Sequence, residues 1–88
     1  MRLDVFLKQT RLVKRRSLAK ELCDEGAVAI NGHLARAGRE ISSGDELTLT
    51  LRNRRLAVEV VGVPERPPSV AAASDFYRVV SDERIEHD

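Results

Sequence analysis

The sequence predicts a small α+β domain in which two amino-terminal helices pack on a small, mainly antiparallel sheet, followed by a short carboxyl-terminal tail. Three observations predict this fold class. Apolar residues recur with a helical period over the first 25 residues and with a period of two from residue 28 to residue 60, and three prolines then end the regular pattern. At 88 residues, the chain suffices for one compact domain with a modest core.

Two short helices are predicted at the amino end of the chain. Residues 2–9 place three apolar side chains at helical spacing, and residues 15–25 place four. Gly26 follows the second segment, where it can end the helix in a left-handed conformation. Lys14 falls at the cap position and is a poor side-chain cap, so we expect unsatisfied N–H groups there. The predicted apolar positions are Leu3, Phe6 and Leu7 in the first helix and Leu18, Ala19, Leu22 and Cys23 in the second.

A period of two predicts strands through the middle of the chain. Val28 and Ile30 lead into Asn31-Gly32, which is a strong signal for a tight turn and would also allow close backbone approach to a ligand. Residues 47–51 and 56–60 then alternate apolar and polar side chains and are expected to pair antiparallel.

We therefore divide the chain into a domain over residues 1–63 and a segment over residues 64–88. The second segment has a Pro-containing linker, a possible short helix or strand over residues 71–80, and an acidic tail that we expect to be frayed from Ser81.

The distribution of charge is more informative than its sum. The net charge is +1, but residues 1–20 hold seven basic residues and one acidic residue, a net of +6, whereas residues 21–88 hold eight basic and thirteen acidic, a net of −5. A local positive potential of this kind attracts a polyanion. Two Phe, one Tyr and no Trp leave few rings on which bases could stack, which argues against a stacking-based single-strand binder.

Catalysis, a cofactor and a bound metal are not expected. Cys23 is the single cysteine, which excludes an intramolecular disulfide or thiol-based zinc site and fits a reducing, cytoplasmic location. Two histidines cannot supply a metal site, no serine has an activating motif, and the glycine spacings match no phosphate loop or dinucleotide fingerprint. No stretch is long and apolar enough for a signal peptide or membrane span, so we expect no membrane association.

A basic cluster lies where the two predicted helices meet. The bend between the helices concentrates these side chains at one edge, and the exposed helix start adds partial positive charge, so a phosphate group could be held there. The alternative is a solvated basic face without a partner. Arg2 has a similar alternative, since a surface ion pair with Asp4 would be worth at most about 1 kcal/mol. The cluster consists of Arg11, Lys14, Arg15, Arg16 and Lys20.

Four motifs in this order resemble the alpha-L RNA-binding domain first known from ribosomal small-subunit protein four, the S-four-type domain. They are R-L-D-V-F-L-K, K-R-R-S-L-A-K-E-L, G-A-V-A-I-N-G and S-G-D-E-L, and the resemblance covers about residues 1–60. Within that superfamily, the short chain, the amino-terminal motifs and the segment A-A-A-S-D-F-Y resemble the RqcP-like family of small bacterial ribosome-associated quality-control factors.

The resemblance implies a cytoplasmic, ribosome-associated protein that binds the rRNA of the large ribosomal subunit and peptidyl-tRNA when a nascent chain is obstructed. It also implies a protein partner, an RqcH-type elongation factor whose alanine tailing the chain assists; we expect a monomer. One alternative is a large-subunit recycling factor like the related heat-shock fifteen-kilodalton protein. Two others are an RNA-targeting module acting in trans with an RNA-modifying enzyme, and a duplex-DNA binder with a helix-turn-helix-like start.

The same resemblance implies which residues contact RNA. Arg2 and Arg16 are implied by the resemblance as the principal contacts. The chemistry agrees, since an arginine fork can grip phosphate oxygens bidentately. Asn31-Gly32 would close the RNA-facing loop, and Arg36 follows it. The full predicted RNA-binding set is Arg2, Lys8, Arg11, Lys14, Arg15, Arg16, Lys20, Asn31, Gly32 and Arg36.

Overall fold

The structure is a computed structural model that describes residues 1–85. Its helices are α1 (Leu3–Gln9) and α2 (Arg16–Asp24), and its strands are β1 (Val28–Ile30), β2 (His33–Leu34), β3 (Glu46–Leu51), β4 (Arg54–Val60) and β5 (Tyr77–Arg84). The five strands form one antiparallel sheet in the order β2-β1-β3-β4-β5. The predicted α+β fold, with two amino-terminal helices on a mainly antiparallel sheet, is confirmed.

Main-chain contacts rather than a side chain cap the start of α1. Arg2 precedes the helix in an extended conformation without a side-chain capping bond. The N–H groups of Leu3 and Asp4 donate to the carbonyls of Arg39 at 2.8 Å and Ala37 at 3.1 Å. The loop before β3 therefore satisfies the helix start and holds Arg2 beside it.

The chain bends sharply between the two helices. Arg11 has φ +62°, in the left-handed region, and the Thr10 hydroxyl donates to the Phe6 carbonyl at 2.7 Å. The cap residue of α2 is Arg15 and not Lys14, so the predicted cap position is one residue too early. As expected, no side chain caps this helix.

The core lies between the helices and one face of the sheet. Leu18 is 37% exposed, so the prediction that it belongs to the buried face of α2 is wrong, although Ala19 and Cys23 are buried there. Leu18 sits at the margin of the buried stripe and lines a surface groove that extends toward Ile85. The largest fully buried side chains are Phe6, Leu3, Leu7, Leu47, Leu49, Val28, Val58, Val60 and Thr10.

The carboxyl-terminal segment adds the outer strand of the sheet. β5 pairs antiparallel with β4 over its whole length, with a bulge at Ala57/Val58. The expectation that residues from Ser81 onward are frayed is therefore wrong for 81–84. Cross-strand ion pairs stabilise this polar strand, including Arg54 Nε to Asp82 Oδ1 at 2.8 Å. Residues 86–88 of the expected tail lie outside the described residues.

Candidate nucleic-acid interface

A buried carboxylate links the two helices. The Asp4 side chain is only 3% exposed, and it accepts hydrogen bonds from Arg2 Nε at 3.2 Å and Arg16 Nε at 3.2 Å. Its Oδ1 also accepts the Val5 N–H at 2.9 Å. We call this arrangement the Arg2–Asp4–Arg16 clamp. The Arg2–Asp4 ion pair that the sequence suggested is therefore present, but its carboxylate is buried and also binds a second arginine, Arg16.

The two arginines keep Asp4 ionised. Burial of the carboxyl group raises its pKa, but hydrogen bonds from Arg16 and Arg2, the positive charge of Arg2 and the Val5 N–H lower it, and the net result is a pKa below the ordinary value. An ionised Asp4 in turn fixes the direction of both guanidinium groups.

Both guanidinium groups retain donors that face away from Asp4. The side chains of Arg2 and Arg16 are 48% and 57% exposed. Arg16 uses only Nε toward Asp4, so its two terminal nitrogens are available to a ligand. The Arg2 guanidinium lies against Gly38, where an added Cβ would sit 3.7 Å from Nη2. The clamp therefore presents fixed, forked donors to solvent, which suits a phosphate.

Six further predicted cations are exposed and unpaired. No carboxylate of residues 1–85 forms an ion pair with any of them, whereas two of the arginines of the sheet, Arg54 and Arg78, are paired with acids. Unpaired cations keep their full charge available to a polyanion. The six are Lys8, Arg11, Lys14, Arg15, Lys20 and Arg36.

The structure brings some of these cations together and leaves others apart. Lys8, Arg11 and Lys14 line one groove of about 390 Å³, closed on its other side by Pro67-Pro68 of the linker. Arg15 and Lys20 are exposed but do not line this groove.

The Asn31-Gly32 turn has the predicted tight geometry. Asn31 has φ +51° and Gly32 has φ +86°, as a two-residue hairpin turn requires. The Asn31 side chain donates to Asp45 Oδ1 at 3.1 Å and accepts the Glu46 N–H at 2.9 Å, so it ties the turn to the start of β3. Its side-chain hydrogen bonds are structural, whereas nothing lies within 4 Å of a Cβ added at Gly32.

Sequence reasoning missed two parts of this surface. Arg39 lines a groove with Arg36 and Gly38, beside the clamp, but no motif contains it. The only sequence feature that could have indicated Arg39 was its position as a second arginine three residues after Arg36. The burial of Asp4 also had no signal, because its partner Arg16 is twelve residues away.

Two other site types find no support in residues 1–85. This part of the chain holds no group of three or more His, Cys, Asp or Glu side chains placed to bind a metal ion. Nor does it contain a helix with the length and apolar character needed to cross a bilayer.

Comparison with known proteins identifies the domain family of this chain. Residues 1–47 match the model of the S4 domain family. Among solved structures, the chain superposes on the trimeric heat shock protein 15 of Vibrio cholerae with a TM-score of 0.83 and 26% identity, covering 92% of this chain and 82% of that one. The chain thus contains an S4 domain and has the fold of an S4-domain protein, which confirms the resemblance.

Curated relatives narrow the class to one family. The chain is 44% identical to the RQC P-site tRNA stabilizing factor of Halalkalibacterium halodurans, over 97% of this chain and 96% of the relative. It is 40% identical to the factor of the same name from Bacillus subtilis, over 97% and 98%. The chain belongs to the family of RQC P-site tRNA stabilizing factors.

Proposed function

We propose that the chain binds large-subunit rRNA together with P-site tRNA in ribosome-associated quality control, and that it positions these RNAs without catalysing a reaction. The observation that carries this proposal is the Arg2–Asp4–Arg16 clamp, whose two guanidinium groups are held by one buried carboxylate and remain about half exposed. The name shared by its full-length relatives supports the tRNA and the pathway.

The clamp and the six unpaired cations have different parts in this mechanism. The clamp holds two guanidinium groups in fixed directions, so phosphate oxygens meet donors whose conformational freedom is already restricted. The unpaired cations add attraction that does not depend on sequence and is sensitive to salt. The chain would thereby hold a tRNA against large-subunit RNA in the cytoplasm, as a monomer, while an RqcH-type factor adds alanine residues.

Sedimentation of an Arg16→Ala variant tests the RNA-binding role. We expect the wild-type chain to co-migrate on sucrose gradients with large subunits that carry peptidyl-tRNA, and Arg16→Ala to weaken that association. Arg55→Ala is the matched control, since Arg55 is exposed on β4 and its loss changes the net charge equally. Equal co-migration of wild type and Arg16→Ala would contradict the assignment of Arg16.

The similarity to heat shock protein 15 supports a second candidate, a large-subunit recycling factor. The two candidates differ in their need for an RqcH-type factor. A reconstituted alanine-tailing reaction with that factor separates them: the first candidate predicts more alanine addition when the chain is present. Large-subunit binding without any change in alanine addition would favour recycling.

A further inference from the structure

A second groove lies beside the clamp, between the β1–β2 turn and the loop that follows β2. Its volume is about 710 Å³, within the usual range for ligand pockets of about 300–1,000 Å³. Ile30, Leu34 and Ala35 give it an apolar side, and Arg36 and Arg39 a cationic side. We call it the Leu34 groove.

Leu34 is unusual on this surface. It is 74% exposed, the largest value among the exposed large hydrophobic side chains of residues 1–85. Burying it against a ligand would recover hydrophobic free energy that the folded chain alone does not gain. Because Leu34 also lines the groove, it is available to pack against an apolar part of a ligand bound there.

The cationic side of the groove restricts what that ligand can be. The Arg36 guanidinium forms no ion pair and no hydrogen bond in the part of the chain that the structure describes. Arg39 Nε donates to the Glu40 carbonyl at 3.3 Å, which anchors its guanidinium at the groove. A simple anion would leave Leu34 exposed to solvent, and an apolar peptide would leave the two arginines without an anionic partner. A nucleotide has both an apolar base face and anionic phosphates.

The groove is continuous with the clamp through Gly38. Gly38 lines the groove, and the Arg2 guanidinium packs against it, so no side chain separates the two. The Gly38 N–H forms no hydrogen bond within residues 1–85. An RNA strand held by Arg2 can therefore pass directly into the groove.

We propose that the Leu34 groove holds one unpaired nucleobase of the RNA that the clamp grips, with Arg36 and Arg39 on the flanking phosphates. This inference rests on the proposed RNA-binding function and adds a base-contacting site to it. Few Phe and Tyr side chains are present, so the base packs on Leu34, on guanidinium planes and on the imidazole ring of His33, which also lines the groove.

Chemical modification of RNA bases tests the inference. Complexes of the full chain with tRNA-bearing large subunits are treated with reagents that attack the Watson–Crick edges of all four bases. We expect the wild-type chain to protect an unpaired base, and Leu34→Ser to weaken binding about tenfold and to restore that base's reactivity at saturating protein. Val70→Ser is the control, because Val70 is 69% exposed and lies in the linker.

The outcomes separate the inference from the function on which it rests. Identical base reactivity in wild-type and Leu34→Ser complexes would overturn the nucleobase site while leaving RNA binding intact. Weaker binding of Leu34→Ser without a change in reactivity at any base would overturn it in favour of a peptide ligand. Failure of the wild-type chain to bind the subunit at all would overturn the proposed function, and the nucleobase site with it.

Discussion

Replacing Asp4 with asparagine distinguishes two contributions of the clamp to RNA binding: the fixed orientation of its arginines and the net positive charge. The variant keeps the shape of the side chain and raises the net charge from +1 to +2. If electrostatic attraction alone governed RNA binding, affinity would rise. We expect it to fall, because an amide N–H facing Arg16 Nε cannot accept its hydrogen bond, and Arg16 loses its fixed direction.

The expected loss of stability is about 2 kcal/mol. Arg2 and Arg16 are about half exposed, so solvent screening limits each ion pair to about 1 kcal/mol. The amide oxygen of asparagine can still accept the Val5 N–H, so that bond adds little to the loss. The total is smaller than the roughly 3–5 kcal/mol for breaking a fully buried pair, because both cations reach water.

The pH dependence of unfolding provides the assay. Because the folded-state pKa of Asp4 lies below its ordinary value of 3.8, the stabilisation is fully present above that value and is lost as the pH falls through the folded pKa. The difference in unfolding free energy between wild type and Asp4→Asn, from urea titrations, should therefore stay constant at neutral and mildly acidic pH and shrink as the pH falls below 3.8.

Two results would refute this reasoning. The first is a difference that does not change with pH, and the second is tighter binding of large-subunit RNA by Asp4→Asn. Asp82→Asn is the matched control, since Asp82 is 46% exposed and pairs with a similarly exposed Arg54. Its loss should cost about 0.5 kcal/mol or less.

Three further predictions concern the helix pair. Phe6→Ala should lower the unfolding free energy by about 3–5 kcal/mol in urea titrations, because Phe6 is fully buried; a loss near 1 kcal/mol would contradict its central place in the core. Arg11→Gly should raise the unfolding free energy by about 0.5 kcal/mol, because glycine adopts the left-handed conformation at this position without strain. The same variant should reduce the slope of log affinity for RNA against log salt concentration by about one, as expected for the loss of one phosphate contact. A lower unfolding free energy with an unchanged slope would contradict both expectations. Burial, with the nearby charges of Asp4 and Asp24, raises the pKa of the Cys23 thiol above 9.0, so alkylation of the folded chain should be slow at neutral pH and accelerate in urea; equal rates would show an accessible thiolate.

Local periodicity was sufficient to predict most of the fold. The amino-terminal helices, β1 and β3 each bury one face, and β4 contributes Leu56, Val58 and Val60 to the core, so the period of apolar residues reveals them. β5 is different, because its residues from Arg78 to Arg84 are all exposed. Its partners are on β4, including Glu59 for Arg78 at 3.2 Å, and a pairing between distant residues leaves no local pattern.

The sequence predicted where the basic residues of the candidate site lie along the chain, but not how their side chains contact one another and Asp4. Counting charges locates the cations near the amino end, and the family motifs single out Arg2 and Arg16. Neither indicates that Asp4 is buried between them, because that depends on how α1 and α2 pack. The Leu34 groove was missed for a similar reason, since it forms only where the hairpin and the loop before β3 meet.

The division between unpaired cations and a braced clamp has a kinetic consequence. Loose cations act at a distance and mainly raise the rate of encounter with RNA, whereas contacts that must break before departure govern residence time. Lys14→Ala should therefore lower the association rate constant for RNA more than it raises the dissociation rate constant. Arg16→Ala should mainly raise the dissociation rate constant. If so, a rise in salt concentration would make this protein slower to find its ribosome without making it much quicker to leave.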